Sequence, residues 1–462
     1  MLAKFKKKYI GDWDFYQKYL LLAIPMILQN AITNLVSFLD NIMVGQLGTE
    51  QMSGVAIVNQ LIFVYNLAIF GAVSAASIFG AQYFGKGNHK GHMYSFRFKL
   101  YATLLVTGGA ILLFLTKGSA LISLYLTDTV GNGATDLALQ YGLEYLAIMM
   151  VGLIPFAVNQ SYATNIKETG QTFIPMLASF VAVGTNAILD YLMIFGIGPF
   201  PELGVQGAAL ATVIARYIEA LIVVIWAHIH RGKNRYLEGA NTGFGIPLAE
   251  LKAILIKGFP LMMNEVLWAA GMTTVTQCYS VRGLDVVAGL NIASTITNLF
   301  NIVYLQLGSC ISIVVGQYLG AGKLEDAKDA DNKMIVFSVF CCVIMAVLMF
   351  VVGGFFPGIY NTTEEIRELA TSFIAVSAII MPFCAFSHAS YFTLRSGGKT
   401  VVTFLFDSVF TWVIVVPAAY LLAHFTGLGI VSIYFLVQGT ELIKVIIGYL
   451  MVKSNVWVVQ MV

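Results

Sequence analysis

Twelve stretches of this chain are apolar enough and long enough to cross a lipid bilayer, and no other feature constrains its fold as strongly. A spanning helix needs about 20 mostly apolar residues. The stretches fall at 17–43, 53–80, 100–124, 138–163, 173–197, 207–230, 258–281, 286–315, 334–357, 369–394, 401–424 and 429–451. Of the 462 residues, 58% are hydrophobic and 11% charged, whereas a soluble domain carries about 25% charged residues. Lipid therefore has to cover the surface. A net charge of +2 gives no reason to expect nucleic acid. Cys278, Cys310, Cys341, Cys342 and Cys384 lie in apolar runs without disulfide or zinc spacing, and read as buried free thiols. The basic, then aromatic, start of the chain reads as a cytoplasmic flank before the first span, since the apolar stretch after it is too long for a signal-peptide core.

The basic residues orient the spans. Cytoplasmic loops carry the excess of Lys and Arg. On one side lie Lys4, Lys6, Lys7, Lys8 and Lys18, then Lys86, Lys90, Arg97 and Lys99, then Lys167, Arg231, Lys233, Arg235, Lys252 and Lys257. Lys323, Lys328, Lys333, Arg395, Lys399, Lys444 and Lys453 complete that side, against only Lys117, Arg282 and Arg367 on the other. Both termini are expected in the cytoplasm, with an even number of spans at the cell membrane. The long polar connection at 231–257 separates an N-terminal lobe (1–230) from a C-terminal lobe (258–462).

The two halves repeat. At an offset of 235 residues, Pro25 pairs with Pro260, Gly48 with Gly283, Gly54 with Gly289 and Asn66 with Asn301. In the same register, Gln82-Tyr83-Phe84-Gly85-Lys86-Gly87 pairs with Gln317-Tyr318-Leu319-Gly320-Ala321-Gly322. Gly170-Gln171-Thr172 matches Gly398-Lys399-Thr400 at an offset of 228. Six spans per repeat make the repeats parallel, related by an axis along the membrane normal. The expected fold is all-α and integral to the membrane, with twelve transmembrane helices in two six-helix lobes related by a pseudo-two-fold axis. Two lobes facing each other across a cleft suit a rocking transporter.

Several motifs occur in a telling order. Asp40-Asn41-Ile42-Met43-Val44-Gly45-Gln46-Leu47-Gly48 follows Pro25, and a Gln-Tyr-x-Gly-x-Gly loop ends the second span of each half. Gly204-Val205-Gln206-Gly207-Ala208-Ala209 opens the sixth span, and Leu394-Arg395-Ser396-Gly397-Gly398-Lys399-Thr400 follows the tenth. Together they resemble the MATE (multidrug and toxic compound extrusion) family over essentially the whole chain. Lys399 departs from the pattern, where many relatives carry an acid, as do Ser396 and Gly397. The resemblance implies a secondary antiporter, working as a monomer without cofactor, that exchanges drug-like and often cationic molecules for Na⁺ or H⁺. No P-loop for ATP is present.

An ionisable group inside a span costs about 2.5–3.5 kcal/mol or more, so it usually faces protein or water. Asp40 lies near the outer end of the first span. Asn186 and Asp190, four residues apart, share one face of the fifth, and Thr212 begins the sixth. Two carboxylates, an amide oxygen and a hydroxyl at one depth are hard ligands suited to Na⁺, and close carboxylates also suit a shared proton. The C-terminal counterparts Val275, Ile414 and Ala418 are apolar, so the expected cation site is one-sided. The resemblance places Asp40 in the branch with an acid in the first span and makes Pro25 a hinge, with Pro260 its counterpart.

Glu265 has no basic neighbour in sequence and is the candidate for contact with a cationic substrate, while Asn264, Gln29 and Asn30 are expected to line the cleft. Arg216 and Glu219, three apart, can pair, and with Glu441, the counterpart of Glu219 at an offset of 222, they read mainly as structural ion pairs or cavity-lining groups rather than as substrate contacts. Asp407 reads as facing an inward cavity, and His388 as a packed polar group. One alternative is a lipid-linked saccharide flippase, disfavoured because only Arg216 lies deep in a span. A membrane-embedded enzyme is disfavoured by the scattered histidines, and a non-transporting receptor would never move its ligand across the bilayer.

Overall fold

The structure is a computed structural model that describes residues 8–126, 134–239 and 245–462; Lys4, Lys6 and Lys7 lie outside the described residues. Twelve helices among the described residues are long and apolar enough to cross a membrane. They are α1 Trp13–Gly45, α2 Thr49–Lys86, α3 His89–Ser123, α4 Ala134–Glu168, α5 Phe173–Ile194 and α6 Gly204–Ile229. After a short 3₁₀ turn at Arg235–Leu237 come α7 Leu248–Ser280, α8 Leu284–Gly320, α9 Leu324–Gly353, α10 Glu364–Ser396, α11 Thr400–Phe425 and α12 Ile430–Lys453. Most run several residues beyond the apolar stretches. Charged end residues such as Lys86 and Glu168 continue the helical hydrogen bonding, which hydropathy does not register.

The helices pack as two compact units. The N-terminal unit comprises Ile24–Gly80 and His89–Lys252. The C-terminal unit comprises Ala253–Val462, the residues up to Ala23, and Ala81–Asn88. The C-terminal end of α2, with the first Gln-Tyr-x-Gly motif, is thus grouped with the second half of the sequence.

Matched backbone geometry underlies the sequence repeat. Gly87 and Gly322 both have φ of 73°, and Gly170 and Gly398 have φ of 83° and 70°. These are left-handed conformations that only glycine adopts without strain, so they fix the same helix ends in both halves of the repeat. Within the spans small residues let backbones meet: a Cβ on Gly54 would lie 2.5 Å from the Ala138 carbonyl, and one on Gly207 would lie 2.6 Å from that of Met193. Val58, Ile122, Leu146, Met149 and Leu153 fill the core of the N-terminal unit; Met349, Phe373, Ile374 and Met381 do so in the C-terminal unit. On α9 the exposed Phe340, Val343, Val347, Phe350 and Val351 form an apolar face that only lipid can cover.

Helix α11 departs from regular geometry. Between α-helical ends, Leu405–Val409 and Thr411–Val415 are π-helical. Such widened turns occur often at functional sites.

Candidate functional site

In the N-terminal unit α1, α5 and α6 bring four side chains together. Asp190 is almost wholly buried, with Asp40 and Asn186 as its polar neighbours. The Asn186 amide donates to Thr212 Oγ1 at 3.4 Å. The sequence therefore runs Asp40, Asp190, Asn186, Thr212 across three helices. The i, i+4 spacing on α5 turns Asn186 and Asp190 to the same side. Among the described residues, Oδ1 of Asp40 and both carboxylate oxygens of Asp190 are buried without a well-formed hydrogen bond. Among the described residues no lysine or arginine pairs with either acid. Two adjacent carboxylates repel in a medium of low dielectric, and a small cation between them relieves that repulsion. Tyr145 of α4 stands electrostatically between this pair and Arg216, and its hydroxyl donates to Asn59 Oδ1 at 3.4 Å.

A second polar link joins the same three helices. The Gln29 amide donates to Ser179 Oγ at 2.7 Å, and the Ser179 hydroxyl donates to Glu219 in a short hydrogen bond. Oε1 of Gln29 is buried without a partner among the described residues. Asn30 donates back to the Met26 carbonyl of its own helix at 2.9 Å. Arg216 and Glu219 do not form the ion pair expected from their spacing. The guanidinium turns instead to the Gly152 carbonyl at 3.4 Å and to the ring of Phe156, 5.1 Å away.

In the C-terminal unit Asn264 is buried and fully engaged. Its amide nitrogen donates to Asp407 Oδ2 at 3.0 Å, and its oxygen accepts from the Ser408 hydroxyl at 2.8 Å. Lys444 of α12 donates to Asp407 Oδ1 at 2.7 Å. Asp407 is therefore not a free acid facing a cavity; a lysine and an asparagine claim both its oxygens. The π-helical turn lets the consecutive residues Asp407 and Ser408 both reach Asn264. Glu265 is half-buried and has Asn264, Asp407 and Arg395 as polar or charged neighbours, so tertiary structure supplies the basic residue that its sequence surroundings lack. His388 bonds to the Cys384 carbonyl at 3.0 Å and packs on Tyr304. Val275, the counterpart of Asp40, is buried core.

Sequence reasoning missed one cluster. Lys99, read as an inner-side charge, is wholly buried and donates to both Glu168 and Asn165 at 2.5 Å. His92 lies 3.3 Å from the other Glu168 oxygen. Tyr236 covers His92, and its hydroxyl has no partner among the described residues. Burial, then the neighbouring Tyr162 and Glu168, push the Tyr236 phenol well above its ordinary value. Nearby, Arg97 holds the connecting segment through the Gly239 and Gly245 carbonyls at 2.7 and 2.8 Å. The usable signal was Glu168, an acid ending the same span as Lys167.

Residues 25–192 and 260–421 match the family profile MatE. The chain is 23% identical over 415 residues to a probable multidrug resistance protein NorM of Thermotoga maritima, covering 89% of this chain and 86% of that protein. It is 24% identical to the protein of that name from Halalkalibacterium halodurans, covering 89% and 88%. Among solved structures, the outward-facing conformation of a multidrug resistance MATE family transporter of the MOP superfamily superposes with a TM-score of 0.85 at 20% identity, over 96% of both chains. A MOP superfamily transporter from Pyrococcus furiosus, whose reversed binding-pocket polarity suggests a different function, superposes at 0.84 with 20% identity and the same coverage.

Proposed function

Since this chain belongs to the MatE family of multi-pass membrane transporters, which are not enzymes, we propose that it is a secondary antiporter. It exports drug-like, often cationic organic molecules in exchange for Na⁺ or H⁺. The observation that carries this reading is the run of side chains from Asp40 through Asp190 and Asn186 to Thr212. It offers oxygen ligands and two neighbouring acids, with no resident cation paired to them among the described residues. Asp40 puts the chain in the branch with an acid in the first span. Both termini lie in the cytoplasm, and the protein works as a monomer.

Transport follows alternating access between the halves 1–230 and 258–462, joined by the segment 231–257. A cation entering from outside neutralises the carboxylate pair and changes the bend of α1 at Pro25, where the proline interrupts the helical hydrogen bonds. Pro260 interrupts α7 at the equivalent place. Coupling requires the substrate to bind the two states with different affinity, and the cation to bias the same equilibrium. On the substrate path Glu265 supplies negative charge; Gln29, Asn30 and Asn264 supply amides.

The test is efflux of a fluorescent cation from proteoliposomes under separate sodium and proton gradients. Either gradient, or both, should drive efflux in the wild type. Asp40→Asn should abolish the gradient dependence, and full coupled activity in that variant refutes the role given to Asp40.

A further inference from the structure

The polar links of the two units occupy equivalent places in the repeat. Gln29 corresponds to Asn264 at offset 235, Ser179 to Asp407 at 228, and Glu219 to Glu441 at 222, one helical turn before Lys444. Each link ties the first helix of its unit to the fifth and sixth: Gln29 to Ser179 to Glu219, and Asn264 to Asp407 to Lys444. They differ in charge. The C-terminal link holds an acid and its own ammonium, 2.7 Å apart. The N-terminal link holds an acid alone. Among the described residues no basic side chain lies within 4.0 Å of Glu219.

Arg216 acts on Glu219 electrostatically from one turn away, but its donors are directed at Gly152 and its face at Phe156. The Ser179 hydroxyl satisfies one Glu219 oxygen and cannot neutralise its charge. Glu219 is half-buried rather than sealed, so a cation can reach it. Gln29 adds a carbonyl oxygen with no donor. The N-terminal link thus offers a carboxylate, an amide oxygen and a partly open position, where the C-terminal link holds Asp407 already paired with the buried Lys444.

We propose that Glu219, held by Ser179 and Gln29, is a cation subsite for the charged nitrogen of the exported molecule, standing where the C-terminal unit supplies Lys444. The proposal rests on the reading of the protein as an exporter of organic cations and gives that substrate class a second anchor, separate from Asp40 and Asp190. Its logic is charge exchange. In the C-terminal link Lys444 pairs with Asp407 and also acts on Glu441, whereas among the described residues no basic side chain pairs with Glu219 in the N-terminal link, which leaves that place to the charged nitrogen of the substrate.

The experiment is equilibrium binding of ethidium to the full chain in lipid nanodiscs, with its neutral reduced form, dihydroethidium, as reference. Glu219→Gln should weaken ethidium at least about tenfold while leaving dihydroethidium within about twofold. Glu219→Asp should retain most of the ethidium affinity. The double variant Ser179→Asp/Glu219→Lys rebuilds the C-terminal arrangement, keeps the link charge-neutral for folding, and should lose ethidium as Glu219→Gln does. Gradient-driven efflux of ethidium by the wild type, measured separately in proteoliposomes, tests the exporter reading on which the proposal rests, so that failure of one is told from failure of the other. Unchanged ethidium affinity in Glu219→Gln, or equal loss of both probes, overturns the proposal. So does unchanged affinity with a shifted pH profile of efflux, which assigns Glu219 a proton instead. A wild type that binds no ethidium also counts against it.

Discussion

Gly85 is pressed directly on the backbone of Gln317, and Gly320 is pressed in the same way on the backbone of Gln82. The C-terminal ends of α2 and α8 thus meet through the same motif, each glycine making room for the other's glutamine. A Cβ at either position would lie closer to a carbonyl oxygen than any real contact allows, so the backbones would have to separate. Overpacking of this kind costs about 1–3 kcal/mol, and more when the obstruction is backbone. Gly85→Ala and Gly320→Ala should therefore lower thermal stability by similar amounts, read as melting temperature in detergent. A neutral result at either position would show that this crossing yields easily.

The Asp407–Lys444 pair invites a double-mutant cycle. Both side chains are largely buried. Removing one partner of a buried pair strands the other charge and costs about 3–5 kcal/mol. Lys444→Met and Asp407→Asn should each destabilise by about that much, and the double variant by less than either. Additive losses in thermal unfolding would mean the pair contributes nothing as a pair.

What could be read from the chain beforehand follows from what neighbours contribute. The twelve spans were legible because lipid imposes length and hydropathy on every helix. Asp40, Asn186, Asp190 and Thr212 were legible as a group because an acid in a span is rare and depth can be counted from the loops. The link from Gln29 to Ser179 to Glu219 was not. Serine is common in membrane helices, and nothing local reveals which of three helices it faces. Lys99 was misjudged because a lysine near a span end ordinarily reaches solvent; only α4, carrying Asn165 and Glu168, makes its burial tolerable. The π-helical turn that brings Asp407 and Ser408 to Asn264 contains no proline or glycine to mark it.

The Lys99 cluster separates two kinds of buried polar group. Glu168 accepts from Lys99 and neighbours His92, so Glu168→Gln leaves a buried ammonium without its counter-ion and should cost about 3–5 kcal/mol. The Tyr236 hydroxyl has no partner among the described residues, and an unsatisfied buried group weighs against the folded state by about 1–3 kcal/mol. Tyr236→Phe should therefore be neutral or stabilising in a thermal melt. A clear loss of stability would reveal a hydrogen bond to that hydroxyl in the folded protein.

The oxygen ligands around the carboxylate pair make Na⁺ and H⁺ distinguishable. A proton needs only a carboxylate oxygen, whereas Na⁺ has to replace a hydration shell with several oxygens. Asn186 neighbours Asp190 and donates its amide to Thr212 Oγ1, so both carry neutral oxygens within the same group of side chains. Asn186→Ala and Thr212→Val should therefore weaken sodium-driven efflux about tenfold, the equivalent of one lost ligand near 1.4 kcal/mol, and spare proton-driven efflux. The two ions also compete for the same acids, so lowering the pH should raise the sodium concentration needed for half-maximal drive. Rates measured in proteoliposomes under one gradient at a time decide the matter. Equal loss under both gradients would place Asn186 and Thr212 in the scaffold of α5 and α6, and a sodium requirement indifferent to pH would remove the shared site.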